Sequence, residues 1–265
     1  MTFESIDKSK NQLLAELLEL RHQRTREKAS EHIRAEVLSM VADEDLLRVV
    51  GVMQTEMLNL GIQTPASSIS FMNQEEDLVI SYLAGKNPAQ YGLSWTSPDL
   101  VEINEETAVF ASEWAMSEGW RENHAKIWRE GEPGTWHETV TVESFVERGH
   151  CHRLGIVGDP SEWAKFLVGD WHITCVPFQH GTVSYREREH RPEHIPIVQE
   201  LAEAVSLGYL RFLDLKNRDQ AQQQLISEME RELQTAHEMQ MALMPKEAPA
   251  LPGLEVSGHC RPAKH

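Results

Sequence analysis

The sequence predicts an α+β fold: an antiparallel sheet with helices on one face, flanked by N-terminal and C-terminal coiled-coil helices. Three observations predict it. A stretch without Gly or Pro, Ile6 to Met40, opens the chain, and a second long helical stretch follows Pro192. Two pairs of strand-like runs, each joined by a turn, stand between them. A helix whose apolar residues recur at three and four positions precedes the first pair.

The opening stretch is rich in Leu, Glu, Arg, Lys and Ala, all good helix formers. Leu13, Leu14, Leu17, Leu18 and Leu20 make an apolar start, and Ile33, Val37, Leu38 and Val41 resume the stripe after the polar run Arg21 to Lys28. Two readings are open, a solvated helix and a dimerising helix with a weak middle. The next helix, Asp43 to Asn59, places Leu46, Val49, Val50, Met53 and Met57 on one face, and Gly61 ends it. Ser67 to Met72 and Leu78 to Leu83 read as strands joined by the acidic turn Asn73 to Asp77.

Pro88 to Asp170 is irregular, holding Trp95, Trp114, Trp120, Trp128, Trp136 and Trp163. Within it Val109 to Glu118 and Ser144 to Arg148 look helical. Trp171 to Phe178 and Thr182 to Glu189 then form a hairpin around Gln179-His180-Gly181, where glycine is expected to supply an unusual backbone angle. Val183 and Tyr185 share one strand face. The closing helix runs from about Ile195 to Pro245.

Composition narrows the function. The net charge of −17 repels nucleic-acid phosphates and anionic lipid, so neither nucleic acid nor a membrane is an expected partner. No apolar run reaches the roughly 18 residues that suggest a membrane helix. Met1 to Lys10 lacks the apolar core of a signal peptide, and Cys151, Cys175 and Cys260 are an odd number without framework spacing, which fits a reducing cytoplasm. No phosphate-binding glycine loop, His-Glu-x-x-His or Gly-x-Ser-x-Gly pattern occurs.

Ile173-Thr174-Cys175-Val176-Pro177-Phe178, followed by His180-Gly181-Thr182-Val183, resembles the hairpin of the GAF domain family. Ile195 to Leu215 is similar to that family's C-terminal helix. The resemblance covers roughly residues 41 to 210. It implies an antiparallel sheet with helices packed on one face and a ligand pocket on the other. Trp114, Trp120, Trp128 and Trp136 either fill a core or line that pocket for a planar ligand. Cys151 and His152 resemble the bilin-attaching pair of GAF photoreceptors. His150, His152, His172 and Cys175 have ligand types suited to zinc or iron, in no familiar spacing. The plain alternative is surface histidines beside a buried free cysteine.

The closing helix carries a heptad series. With d at Leu201 and a at Val205, it reads Leu201, Val205, Gly208, Phe212, Leu215, Asp219, Gln222, Ile226, Met229, Leu233, Ala236, Gln240 and Leu243. Asp219 and Gln222 are weak core residues. The series is either a marginal homodimer seam with two arrangements or one helix lying on its own domain.

The tail, Glu232 to Pro245 followed by Pro249, Leu251-Pro252-Gly253-Leu254-Glu255-Val256 and Cys260-Arg261-Pro262-Ala263, resembles the entry to SpoIIE-like phosphatases of the PPM type. The resemblance implies a metal-dependent serine/threonine phosphatase acting on a phosphoprotein in partner switching, with Mn or Mg in the catalytic domain. The sequence stops at His265, before the family's Gly-Gly-Asp motif and metal carboxylates, so this chain itself is expected to hold no cofactor and no phosphatase activity.

The expected organisation is an N-terminal helix at 1–40, a GAF-like sensor at 41–205, a coiled-coil linker helix at 206–245 and the first residues of the phosphatase at 246–265. The expected function is a dimeric cytoplasmic regulator that passes a signal through the linker. The alternatives are a bilin- or metal-binding sensor and a ligand-free dimerisation scaffold.

Overall fold

A computed structural model describes residues 10–117, 119, 121–147, 150–242 and 252–253. The chain divides into two compact units, Met1–Phe212 and Leu213–His265.

In the first unit α1 (Lys10–Leu38) precedes α2 (Leu46–Asn59). Glycine chemistry ends α2: Gly61 has φ +88°, its N–H donates to Leu58 O, and Ile62 N–H donates to Met57 O at 2.9 Å. Those two bonds satisfy the carbonyls of Leu58 and Met57 in the last turn, and Ile62 and Met57 are both buried in the same core. The strands are β1 (Ser67–Asn73), β2 (Leu78–Lys86), β3 (Leu100–Glu102), β4 (Thr107–Ala115), β5 (Gly134–Val140), β6 (Gly169–Phe178) and β7 (Gly181–Glu187). Between them lie α3 (Arg121–Glu130), α4 (Val142–Glu147), α5 (His150–Arg153) and α6 (Pro160–Ala164), and α7 (Ile195–Ala242) follows β7.

The strands form one sheet in the order β3-β4-β2-β1-β7-β6-β5, with every neighbouring pair antiparallel. The expected α+β class is therefore what the chain adopts. Strand alternation assigns the faces. Ile69, Phe71, Tyr82, Val176 and Val183 face a core completed by Ile33 and Val37 of α1, Val49 and Met53 of α2, and Leu201 and Val205 of α7. The opposite face carries a second core, in which Phe110 and Ile173 meet Phe145 of α4, Trp163 of α6 and Leu167. Trp163 is anchored there by its indole N–H, which donates to Lys86 O at 2.9 Å.

Two expectations are corrected. The helix expected from Val109 to Glu118 is not found where the chain is described: Val109 to Ala115 belong to β4, and Glu118 lies outside the described residues. The segment's Ala and Glu content favours a helix, but Phe110, Ser112 and Trp114 are buried on alternate positions and β4 pairs with β2 along its length. Pairing and burial outweigh a propensity difference of a few tenths of a kcal/mol per residue. Gly181 has no unusual backbone angle. It is required because a Cβ there would stand 1.9 Å from Ser70 O on the adjacent strand.

In the second unit α7 continues to Ala242 with Leu225, Ile226, Met229 and Leu233 exposed. Pro252 and Gly253 form a turn, with Gly253 at φ +83°. The rest of the tail assigned from sequence to a phosphatase entry, including Leu243, lies outside the described residues. Among the described residues no helix is long and apolar enough to cross a membrane.

Candidate ligand pocket

The sheet face opposite α1, α2 and α7 has a hydroxyl floor. Strand alternation places Ser68 and Ser70 of β1, Ser81 of β2, and Thr182 and Ser184 of β7 on this face. Ser68 Oγ and Ser184 Oγ are 2.7 Å apart, and Ser70 Oγ and Ser81 Oγ 2.9 Å. These short side chains leave room that larger residues would fill.

A cavity of about 60 Å³ opens at one end of this floor. Ser68, Ser184, Leu83, Phe110, Phe145 and Ile173 line it, with Trp136 and Glu138 of β5, Arg186 of β7 and His124 of α3. A single water needs roughly 10–15 Å³ by this measure, so the space suits several waters or one compact organic molecule.

His124 is the most buried polar group there, at 1% exposure. Its Nδ1 lies 3.0 Å from Thr182 Oγ1 and 3.5 Å from Cys175 Sγ, and its ring meets Trp136 edge-on at 5.4 Å. Burial, and then the cations Arg121 and Arg186, hold its pKa down to about 3. Burial pushes the Cys175 thiol up to about 12. At neutral pH the pair is therefore a neutral imidazole and a neutral thiol. It lacks the thiolate that nucleophilic cysteine chemistry requires.

Among the described aromatic candidates from sequence, Trp136 lines the cavity. Trp114 instead stacks under the guanidinium groups of Arg121 and Arg153, each 3.4 Å from its ring centre. Trp128 packs beside Val79 and Met116, and its N–H donates to Gln179 O at 3.3 Å. Trp120 lies outside the described residues. Cys151 is buried in the second core, where burial raises its thiol pKa, and its neighbour His152 is exposed.

The metal set considered from sequence does not assemble. His172 and Cys175 are three residues apart on β6 and so project from opposite sheet faces. The His150 side chain lies outside the described residues. Among the described residues no group of three or more His, Cys, Asp or Glu side chains is placed to hold a metal ion.

Sequence reading missed His124, Arg186, Glu138 and the serine pairs. A signal for part of this was present: Ser68 and Ser70 stand two residues apart in one strand-like run, as do Thr182 and Ser184 in another. His124 had none, because only the fold of α3 brings it to Thr182.

The heptad residues divide. Val205 and Phe212 are buried in the first unit's helix-side core. Leu215 is half-buried, while Asp219, Gln222, Ile226, Met229, Leu233 and Ala236 are exposed.

No known family profile matches the sequence, and no curated protein matches it. Solved structures with similarity include the GAF domain of A. aeolicus NLH2 in an inactive state, at 11% identity and TM-score 0.38, covering 74% of this chain and 99% of that one. The GAF domain of a phosphoenolpyruvate-protein phosphotransferase from Coxiella burnetii matches at 12% identity and TM-score 0.39, covering 71% and 95%. That of the Acinetobacter phosphotransferase matches at 11% identity and TM-score 0.39, covering 69% and 92%.

Proposed function

We propose that this chain is a GAF-type regulatory sensor: a small ligand enters the hydroxyl-floored cavity, and α7 carries the change to a homodimeric coiled coil. The observation that carries this reading is the double character of α7. Its first turns contribute Val198, Leu201, Ala202 and Val205 to the sheet's core, and its later turns bear the unpartnered apolar row Ile226, Met229 and Leu233. A second copy is the occupant that covers the row, because its spacing continues the heptad. The seam then starts at Leu215, since Val205 and Phe212 are engaged within their own domain.

Asp219 and Gln222 weaken that seam, so its two arrangements lie within the few kcal/mol that a ligand's differential affinity supplies. The tail's likeness to SpoIIE-like phosphatases supports a downstream PPM domain with Mn or Mg, acting on a phosphoprotein. Reading the gene beyond His265 tests this. A continuing frame with Gly-Gly-Asp supports it, and a stop codon there removes the phosphatase.

Sedimentation of the full chain tests the seam. The wild type is expected to be a dimer, and the variant carrying Ile226→Glu and Met229→Glu a monomer with an unchanged thermal midpoint for the first unit. A monomeric wild type would overturn the seam. A second reading, a ligand-free scaffold, predicts the same dimer. It differs in that filling the cavity with Ser68→Leu leaves every response to small molecules as absent as before.

A further inference from the structure

One face of α1 carries a row that the fold leaves uncovered. Ala29, Ile33 and Val37 turn another face of the helix into the core. Leu13, Leu17, Leu20 and Leu38 stand at the ends of the row, and Arg24, Glu27, Glu31 and Arg34 fill its middle. Steps of four and three residues alternate along it, which is heptad spacing. Every residue of the row is exposed, the leucines at 46% to 64%. A leucine standing singly on a surface needs no explanation, but Leu13, Leu17 and Leu20 follow one another on successive turns and mark a contact surface.

The row is complementary to itself. Its middle reads cation, anion, anion, cation, so Arg24 of one copy can reach Glu27 of another one layer on, and Arg34 can reach Glu31. A partner of a single charge sign would meet repulsion from half of these groups. Like charges share each middle layer, so the leucine layers hold the pair and its middle stays weak. The leucines also set the direction. A parallel pair in register places each leucine of the row against its own counterpart. An antiparallel pair that places Leu20 against Leu38 carries Leu13 and Leu17 past the end of the other α1. One that places Leu17 against Leu20 sets Leu13 against Arg24 and leaves Leu38 alone. The fold agrees with the parallel arrangement. Arg26 lies 3.9 Å from Glu200, and further along both helices Val37 meets Gly208, so α1 and the first turns of α7 run in the same direction. A two-fold that pairs α7 in parallel therefore pairs α1 in parallel too. We infer that a second copy of this chain covers the row, α1 against α1, parallel and in register. This pairing adds to the α7 seam of the sensor reading, on which its two-fold rests, and does not replace it.

Cysteine bridging in the full chain reads both occupant and direction. Cys151 and Cys175 are buried, and Cys260→Ser removes the remaining thiol. In that background Leu20→Cys is expected to give a bridged dimer on mild oxidation, because an in-register pair brings the two positions within the roughly 4.4–6.8 Å between Cα atoms that a disulfide spans. His22→Cys, off the row, should bridge far less. By sedimentation, Leu17→Glu with Leu20→Glu should raise the dimer dissociation constant at least about tenfold. The thermal midpoint of the first unit should not change, since both leucines lie outside its core. A bridge that forms only when Leu20→Cys is mixed with Leu38→Cys reports antiparallel helices and overturns the inference. A dimer weakened by Ile226→Glu with Met229→Glu, but not by Leu17→Glu with Leu20→Glu, also overturns it and leaves the α7 seam standing. The reverse result keeps the α1 pairing and removes the seam. A monomeric wild type, with no bridge through Leu20→Cys, would give the row to a different protein and overturn the inference.

Discussion

Gly208 of α7 lies directly against Val37 of α1: a Cβ on Gly208 would stand 2.6 Å from both Cβ and Cγ1 of Val37. This contact sets how closely the two helices approach over the sheet. Gly208→Ala gains up to about 1 kcal/mol of helix propensity and meets an overpacking cost of about 1–3 kcal/mol. The net expectation is destabilisation of about 1 kcal/mol in urea unfolding. Val37→Ala should cost stability alone and yet partly rescue Gly208→Ala, with a coupling above about 0.5 kcal/mol. Additive effects would show that the helices move apart freely.

Stability should fall in acid because of His124. Its folded pKa, about 3, lies below the ordinary histidine value near 6.5, so between these the unfolded chain binds the extra proton. The stabilisation is complete above pH about 6.5 and is lost as pH falls toward 3, by up to about 1.4 kcal/mol per pH unit. Urea titrations from pH 7 to 4 on the wild type and His124→Asn check this. The variant should have the shallower slope, and equal slopes would assign the acid loss to other groups.

Gly61 and Gly181 should respond differently to alanine. At Gly61 the obstacle is φ +88°, with nothing within 4 Å of a Cβ, so Gly61→Ala should cost about 1–2 kcal/mol. At Gly181 the angle is permitted but a Cβ would enter Ser70 O, so the β1–β7 pairing must break. Gly181→Ala is expected to cost more than about 4 kcal/mol or to prevent folding. Thermal melts of both variants rank them.

Replacing the weak heptad residues should tighten association. Asp219→Ile with Gln222→Leu places apolar side chains in the proposed seam, and the dimer dissociation constant should drop at least about tenfold by sedimentation. Any ligand response should flatten, because one arrangement is then locked. A variant that associates as weakly as wild type would place these positions outside the interface.

The elements with strong local signals were legible before the fold was known. Gly61 marked the end of α2, and the turn at Gly181 marked the β6–β7 hairpin, although for a different physical reason. The segment from Pro88 to Asp170 was not. There β4 has helix-favouring composition, and α3 is polar overall because its buried side includes Arg121 and His124, residues that read as surface. Neither is decipherable from periodicity, since each is decided by what it packs against.

By itself the sequence determined the α+β class, the helix-flanked order of the chain, the weak heptad of α7 and the acidic charge, because these follow from residue spacing and composition along one strand or helix. The tertiary structure decided the pocket. Arg186, Glu138 and His124 come from three separate elements, and only sheet register and the docking of α3 bring them to one cavity. It also decided which heptad residues are buried and which are exposed. Val205 and Phe212 are buried in the helix-side core while Ile226 and Met229 are exposed, although all four share the repeat, because burial is set by tertiary neighbours and not by spacing along the helix.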